Sequence, residues 1–298
     1  MPAHSGVLTV NADGARLQLK VALRGIHVMK NLVLGFVAAA AMVAGSTAAL
    51  ANEPPKFAWS FNIGGTNDYV FRGVAQRGED PTVFGGVDFT YGMFYAGAWA
   101  ANVDFGNAAL GGVPGAGGNV ATIEVDVYGG IKPTLGPVTF ELGVIGYIYP
   151  GARDTLGVDG VREQDYAEIK GGASVAVPML PALTVGGAVF YSPEYQGGQN
   201  EVITTEATAA YTFATIGKFT PSISGLLGAQ YGDANDGFIL ANGQDDLLYW
   251  NVGLTLAVEK FSFDFRYHDT DISNANNFCT GQIFQCDERF VFTGKFTY

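Results

Sequence analysis

From residue 56 onward the chain divides into twelve short segments in which side-chain character alternates, and this period of two constrains the fold more than any other feature. The segments fall near 56–66, 82–91, 93–104, 119–131, 137–149, 164–177, 182–192, 200–213, 219–231, 246–258, 261–270 and 288–298. In the fourth, Ala121, Ile123, Val125, Val127 and Ile131 share one face, and Thr122, Glu124, Asp126 and Tyr128 the other. The tenth carries the apolar stripe Leu248, Trp250, Val252, Leu254, Leu256 and Val258. In the eleventh, Phe261, Phe263, Phe265 and Tyr267 oppose Ser262, Asp264, Arg266 and His268. Each segment is about long enough to cross a bilayer as a tilted strand. The connections alternate as well. Long polar ones (67–81, 105–118, 150–163, 193–199, 232–245, 271–287) are interleaved with short ones at Gly92, Lys132 to Gly136, Pro178 to Pro181, Ala214 to Lys218 and Glu259-Lys260. That wiring predicts an all-β chain: one closed antiparallel transmembrane β-barrel of about 12 strands, with short periplasmic turns and long external loops. Ten or fourteen strands also fit. An even count leaves both termini in the periplasm, and closure removes exposed sheet edges.

The two ends fit this reading. The last nine residues, F-V-F-T-G-K-F-T-Y, put Phe290, Phe292, Gly294, Phe296 and Tyr298 on one face. An ordinary amphipathic strand has the same period, but a final aromatic suits the girdle at a lipid–water boundary. Phe290, Phe292, Phe296 and Tyr298 also resemble the assembly signal of outer-membrane proteins, which implies the barrel assembly machinery as a partner. At the front, residues 1–28 show no periodicity and read as a mis-assigned extension. Residues 29–51 read as a secretory signal peptide: Lys30, an apolar run from Leu32 to Ala44, then small residues ending at Ala49 and Ala51. The apolar run is too short to favour a spanning helix. Residues 52–298 would then form the mature, single-domain barrel.

Without residues 1–51 the chain keeps 27 acidic residues (28 less Asp13) against 12 basic ones (16 less Arg16, Lys20, Arg24 and Lys30). Nucleic acid is therefore not expected as a partner. An exported, acidic, glycine- and aromatic-rich chain suits a barrel and also an exported β-sandwich. Cys279 and Cys286, the only cysteines, lie in one polar segment, and an oxidising compartment predicts a local disulfide there.

The residues offer little catalytic chemistry. His268 is the one histidine after residue 51, and by alternation it faces inward with Asp264 and Arg266, away from a lipid substrate. No enzyme is expected. Asp233, Asn235, Asp236 and Gly237, and Asp269 with Asp271, are spaced as loop carboxylates without completing a calcium loop; solvation or divalent bridging to lipopolysaccharide is the plainer reading. The segment from Gly111 to Gly118 lacks the Lys and Ser/Thr of a phosphate loop. No cofactor and no metal site is expected.

The face opposite the apolar stripes carries the functional candidates. Asp88, Asp104, Glu124, Asp126, Glu141, Glu168 and Glu206 make an acidic wall. Lys56, Arg266, Arg289 and Lys295 make a basic one where the last strands close onto the first. Spacing predicts Glu168 paired with Lys170 and Asp264 with Lys295, leaving Glu124, Asp126 and Glu141 unpaired together near mid-height. Charges on an inner face belong in a water-filled lumen.

Several motifs carry a family resemblance: N-D-Y-V-F-R-G-V-A-Q (Asn67 to Gln76), Pro81, Gly85-Gly86-Val87-Asp88, M-F-Y-A-G-A-W-A-A-N-V-D-F (Met93 to Phe105), E-V-D-V-Y-G-G (Glu124 to Gly130) and Y-I-Y-P-G (Tyr147 to Gly151). With these the chain resembles the TorF family of proposed porins, also known as the Gcw-type conserved hypothetical proteins, departing from its usual Ser at Ala75. The resemblance implies an outer-membrane barrel of porin type and no particular solute. The expected function is passive diffusion of small hydrophilic solutes with modest cation preference. The alternative is a non-conducting barrel that binds a partner or anchors the envelope. Outer-membrane lipid and lipopolysaccharide are the expected surroundings, and the oligomeric state is left open.

Overall fold

The computed structural model describes residues 55–106, 120–152, 164–195, 201–232, 246–272 and 285–298. Twelve long strands build the wall: β1 (Phe57–Thr66), β4 (Thr82–Tyr91), β5 (Phe94–Asn102), β6 (Ile123–Ile131), β8 (Val138–Ile148), β9 (Tyr166–Ala176), β10 (Leu183–Ser192), β11 (Val202–Thr212), β12 (Thr220–Tyr231), β13 (Asp246–Val258), β14 (Phe261–Thr270) and β15 (Arg289–Thr297). Three two-residue strands complete the set: β2 (Val70–Phe71), β3 (Val74–Ala75) and β7 (Thr134–Leu135). Every wall strand pairs antiparallel with its chain neighbour, β6 pairs with β8, and β1 pairs with β15, so the ring closes. The fold is a closed antiparallel barrel of twelve strands, and the boundaries read from alternation lie within a few residues of these.

Closure between the chain ends is short. The β1–β15 ladder runs from Asn62↔Thr297 to Thr66↔Thr293, and Phe61 and Tyr298 extend it by exchanging backbone hydrogen bonds. Around that seam the outward side chains stack: Phe61 lies 5.6 Å from Tyr298 and 6.0 Å from Phe296, and Lys260 Nζ sits over the Tyr298 ring. Outward apolar residues are exposed all round the barrel, among them Trp59, Ile63, Val127, Leu227, Leu254, Phe265 and Phe290. Exposed apolar surface on this scale, on the outside of a closed sheet, is what lipid requires.

The first long connection does not behave as an external loop. Val70-Phe71-Arg72-Gly73-Val74-Ala75 forms a hairpin with pairs Val70↔Ala75 and Phe71↔Val74. Its two turn residues, Arg72 (φ 48°) and Gly73 (φ 81°), both have positive φ, the backbone of a tight hairpin turn matched to strand twist. The hairpin folds into the barrel. Tyr69 and Phe71 pack against a buried cluster that includes Val103, Phe105, Tyr147, Tyr149, Tyr166, Tyr195 and Val202, and Val74 packs against Leu247, Tyr249, Ile272 and Cys286. These residues stand at the loop ends of their strands. The hairpin therefore spans the outer half of the lumen.

Candidate functional site

On the inner wall, glycines let long polar side chains lie flat and reach a strand beyond their neighbour. Asp88, Gly97 and Tyr128 stand in one row across β4, β5 and β6. A Cβ on Gly97 would run into the Tyr128 ring, so the bare backbone lets that ring cross and its hydroxyl donate to Asp88 Oδ1 at 2.6 Å. The same row recurs as Glu206, Gly228 and Tyr249, where Tyr249 donates to Glu206 Oε1 at 2.6 Å. It recurs with a cation as Ser224, Gly253 and Arg266, where Arg266 Nη2 donates to Ser224 Oγ at 2.8 Å. Tyr95 crosses Gly130 and Gly143 to donate to Glu141 Oε1 at 2.8 Å. Hydrogen bonds to a charged acceptor contribute about 1.5–3 kcal/mol each and hold these carboxylates in place without neutralising them.

Two buried ion pairs pin the hairpin. At its tip Arg72 makes a bidentate pair with Glu168 on β9, both bonds 2.7 Å, with Arg72 8% and Glu168 1% exposed. The guanidinium also lies over the Phe71 and Phe190 rings, and Tyr147 donates to Glu168 Oε2. At its root Arg289 Nη1 holds Asp68 Oδ2 at 2.9 Å. Burial pushes the Asp68 carboxyl above its ordinary range, and the Arg289 guanidinium opposes that shift. Between the two, the Tyr69 hydroxyl donates to Glu124 Oε1 at 2.6 Å, and Tyr149 donates to Glu124 Oε2 at 2.6 Å.

The structure redistributes the residues expected on two facing walls. Glu124 and Asp126 lie at the outer end of β6 beneath the hairpin, whereas Glu141 lies near the turn end of β8, opposite Gly172 of β9. They are not one mid-height cluster. Glu141 is also not unpaired, since Lys170 holds it at 3.0 Å and Lys132 at 3.6 Å. Lys170 thus serves Glu141 and not Glu168, whose partner is Arg72. Asp264 pairs with Arg266 at 3.0 Å and bonds Thr255; Lys295 stands across from Ser262, two pairs along the ladder from the Thr293 that faces Asp264. Asp104 is past the end of β5, with its carboxylate on the Gly106 N–H. The basic residues do not form a wall at one level: Arg289 opens β15 at the loop end, and Lys295, six residues on, lies about 20 Å further along the strand. Lys56 immediately precedes β1 at the turn end. His268 stands across from Asn251 and Arg289. Cys286 is fully buried and disulfide-bonded, and Cys279 lies outside the described residues, as do Asp233 to Gly237 and Gly111 to Gly118. Among the described residues no three His, Cys, Asp or Glu side chains converge as metal ligands.

Sequence reasoning missed Asp68, Tyr69, Phe71, Arg72 and Lys132. The signal for the hairpin was present: V-F and V-A flank R-G within a stretch otherwise read as polar, and apolar residues around a two-residue turn mark a hairpin that needs somewhere to pack.

Residues 49–298 match the family model described as "Bacterial protein of unknown function (Gcw_chp)". The chain belongs to the Gcw_chp family. The TorF name and a transport role are not part of that description. No curated protein matches the chain in sequence. Among solved structures, the chain is similar to LpxR from Salmonella typhimurium at 13% identity and TM-score 0.44, covering 80% of this chain and 99% of that one. It is similar to the NanC porin at 11% identity and TM-score 0.45, covering 80% and 98%. The outer membrane channel DcaP of Acinetobacter baumannii shows 10% identity and TM-score 0.39, covering 83% and 99%.

Proposed function

We propose that this Gcw_chp protein is an outer-membrane channel for passive diffusion of small hydrophilic solutes, narrowed by its Asn67–Pro81 segment and modestly selective for cations. The observation that carries the reading is the charged inner wall between the hairpin and the turn end. Asp88, Glu141, Lys170 and Glu206 line open space there, and such groups need water. Cation preference is supported by how the acids are held. Glu124, Asp88 and Glu206 take their bonds from tyrosine hydroxyls, whereas Arg72, Arg289 and Arg266 are each matched by a carboxylate. The lumen's field is therefore set by carboxylates, and a negative constriction admits cations.

A second reading is a non-conducting barrel with a role at the cell surface, favoured by the two apolar clusters that grip the hairpin. Planar-bilayer recording of refolded protein separates the two. The channel reading expects discrete conductance and a reversal potential favouring cations across a salt gradient. The preference should fade near 1 M salt, where the Debye length is about 3 Å, and weaken in the Glu124→Gln, Asp126→Asn double variant. A silent bilayer would leave the second reading; anion preference would mean the basic residues set the constriction.

A further inference from the structure

Beneath the hairpin lies a cavity of about 520 Å³ lined by Tyr69, Phe71, Asp88, Trp99, Asp126 and Tyr147 among others. Asp126 occupies a distinctive place in it. On β6 it stands directly between Trp99 of β5 and Tyr147 of β8, so two aromatic side chains flank it on the same face. The hairpin supplies a second ring over each: Tyr69 lies 5.5 Å from Trp99, and Phe71 lies 5.8 Å from Tyr147, both steeply inclined. The Tyr69 and Tyr147 hydroxyls are committed to Glu124 and Glu168, which fixes both rings. Among the described residues two buried carboxylate oxygens have no hydrogen-bond partner, Asp68 Oδ1 and Asp126 Oδ1; Asp68 keeps Arg289 on its other oxygen, and Asp126 is the one that lines this cavity. Tyrosine hydroxyls serve its neighbours Glu124 and Asp88, and none reaches it.

A buried carboxylate oxygen left unpaired is costly unless something supplies a partner. Its surroundings define that partner's chemistry. Aromatic faces attract a cation, and attract best one whose charge is spread over alkyl groups, because a strongly hydrated ion loses too much solvent to enter. We infer that this four-ring box is a binding site for a small organic cation, a quaternary or alkylated ammonium group, with Asp126 as its counter-ion. The site deepens the channel reading by naming a solute class, and rests on it for that solute's passage. The four rings come from both the wall and the hairpin, so the site is complete only with the hairpin inside.

Isothermal titration of the refolded full barrel with choline, and with its uncharged isostere 3,3-dimethyl-1-butanol, tests this. Choline should bind at least tenfold more tightly. Asp126→Asn should remove that difference, and Trp99→Leu should weaken choline more than the isostere, with heat-modifiable gel mobility showing that each variant is folded. Choline and the isostere binding alike to the wild type would overturn the site, and that comparison requires no variant. Choline preference retained by folded Asp126→Asn would overturn it too. A wild type that conducts but shows no choline preference sinks the site and leaves the channel. One that prefers choline but never conducts upholds the site and sinks the channel.

Discussion

If the hairpin is the constriction, releasing its tip should open the barrel, and Arg72→Ala is the sharpest way to do so. Arg72 and Glu168 are both nearly inaccessible and joined by two 2.7 Å bonds. Removing one member of such a pair costs about 3–5 kcal/mol, chiefly because the other charge stays buried without its partner. That moves the equilibrium between docked and released hairpin by roughly two to four powers of ten. The root should hold, since Asp68–Arg289 and the backbone bonds Ala75 N to Gln285 O and Gln76 N to Tyr69 O do not involve Arg72. The expected result is single-channel conductance above wild type, with flicker as the hairpin swings in and out. Replacing both partners, Arg72→Met with Glu168→Met, removes the stranded charge and should return conductance toward wild type. Identical conductance in Arg72→Ala and wild type would refute the idea that the hairpin narrows the path. A double variant as open as the single one would refute the charge argument while leaving the hairpin's place intact.

Other outcomes follow from the same geometry. Deleting Phe296 to Tyr298 cuts the five register pairs of the β1–β15 ladder to three, Gly64↔Lys295, Gly65↔Gly294 and Thr66↔Thr293, so the truncated chain should be exported but fail to accumulate in the outer membrane; normal levels by fractionation and immunoblotting would contradict this. Gly228→Val should drive the Tyr249 ring off Glu206 and lower the thermal midpoint, overpacking costing about 1–3 kcal/mol; an unchanged midpoint would mean the ring has other room. Changing Cys279 and Cys286 to Ser should cost about 2–3 kcal/mol and leave an assembled barrel, as judged by heat-modifiable mobility. N-terminal sequencing of the outer-membrane protein should begin at Asn52; retention of Met1 to Val28 would reject the cleavage site.

Local pattern determined the wall. Alternation in a strand is a property of successive residues, so Ile123, Val127, Leu248 and Leu254 announce the lipid face, and Asp126 and Glu206 the inner one, before any fold is known. Loop lengths likewise announced which ends of the strands carry turns, and the strand count followed. The pairing of charges was not legible, because it depends on which strands become neighbours in register and on glycines that let a side chain pass over one strand to the next. Lys170 and Glu168 are two residues apart on β9, yet one bonds Glu141 on β8 and the other bonds Arg72. Nor could period reveal that Asn67–Pro81 turns inward. A loop's direction is decided by what waits inside, and here Glu168, Glu124 and Arg289, from three distant strands, converge on it only after the barrel has closed.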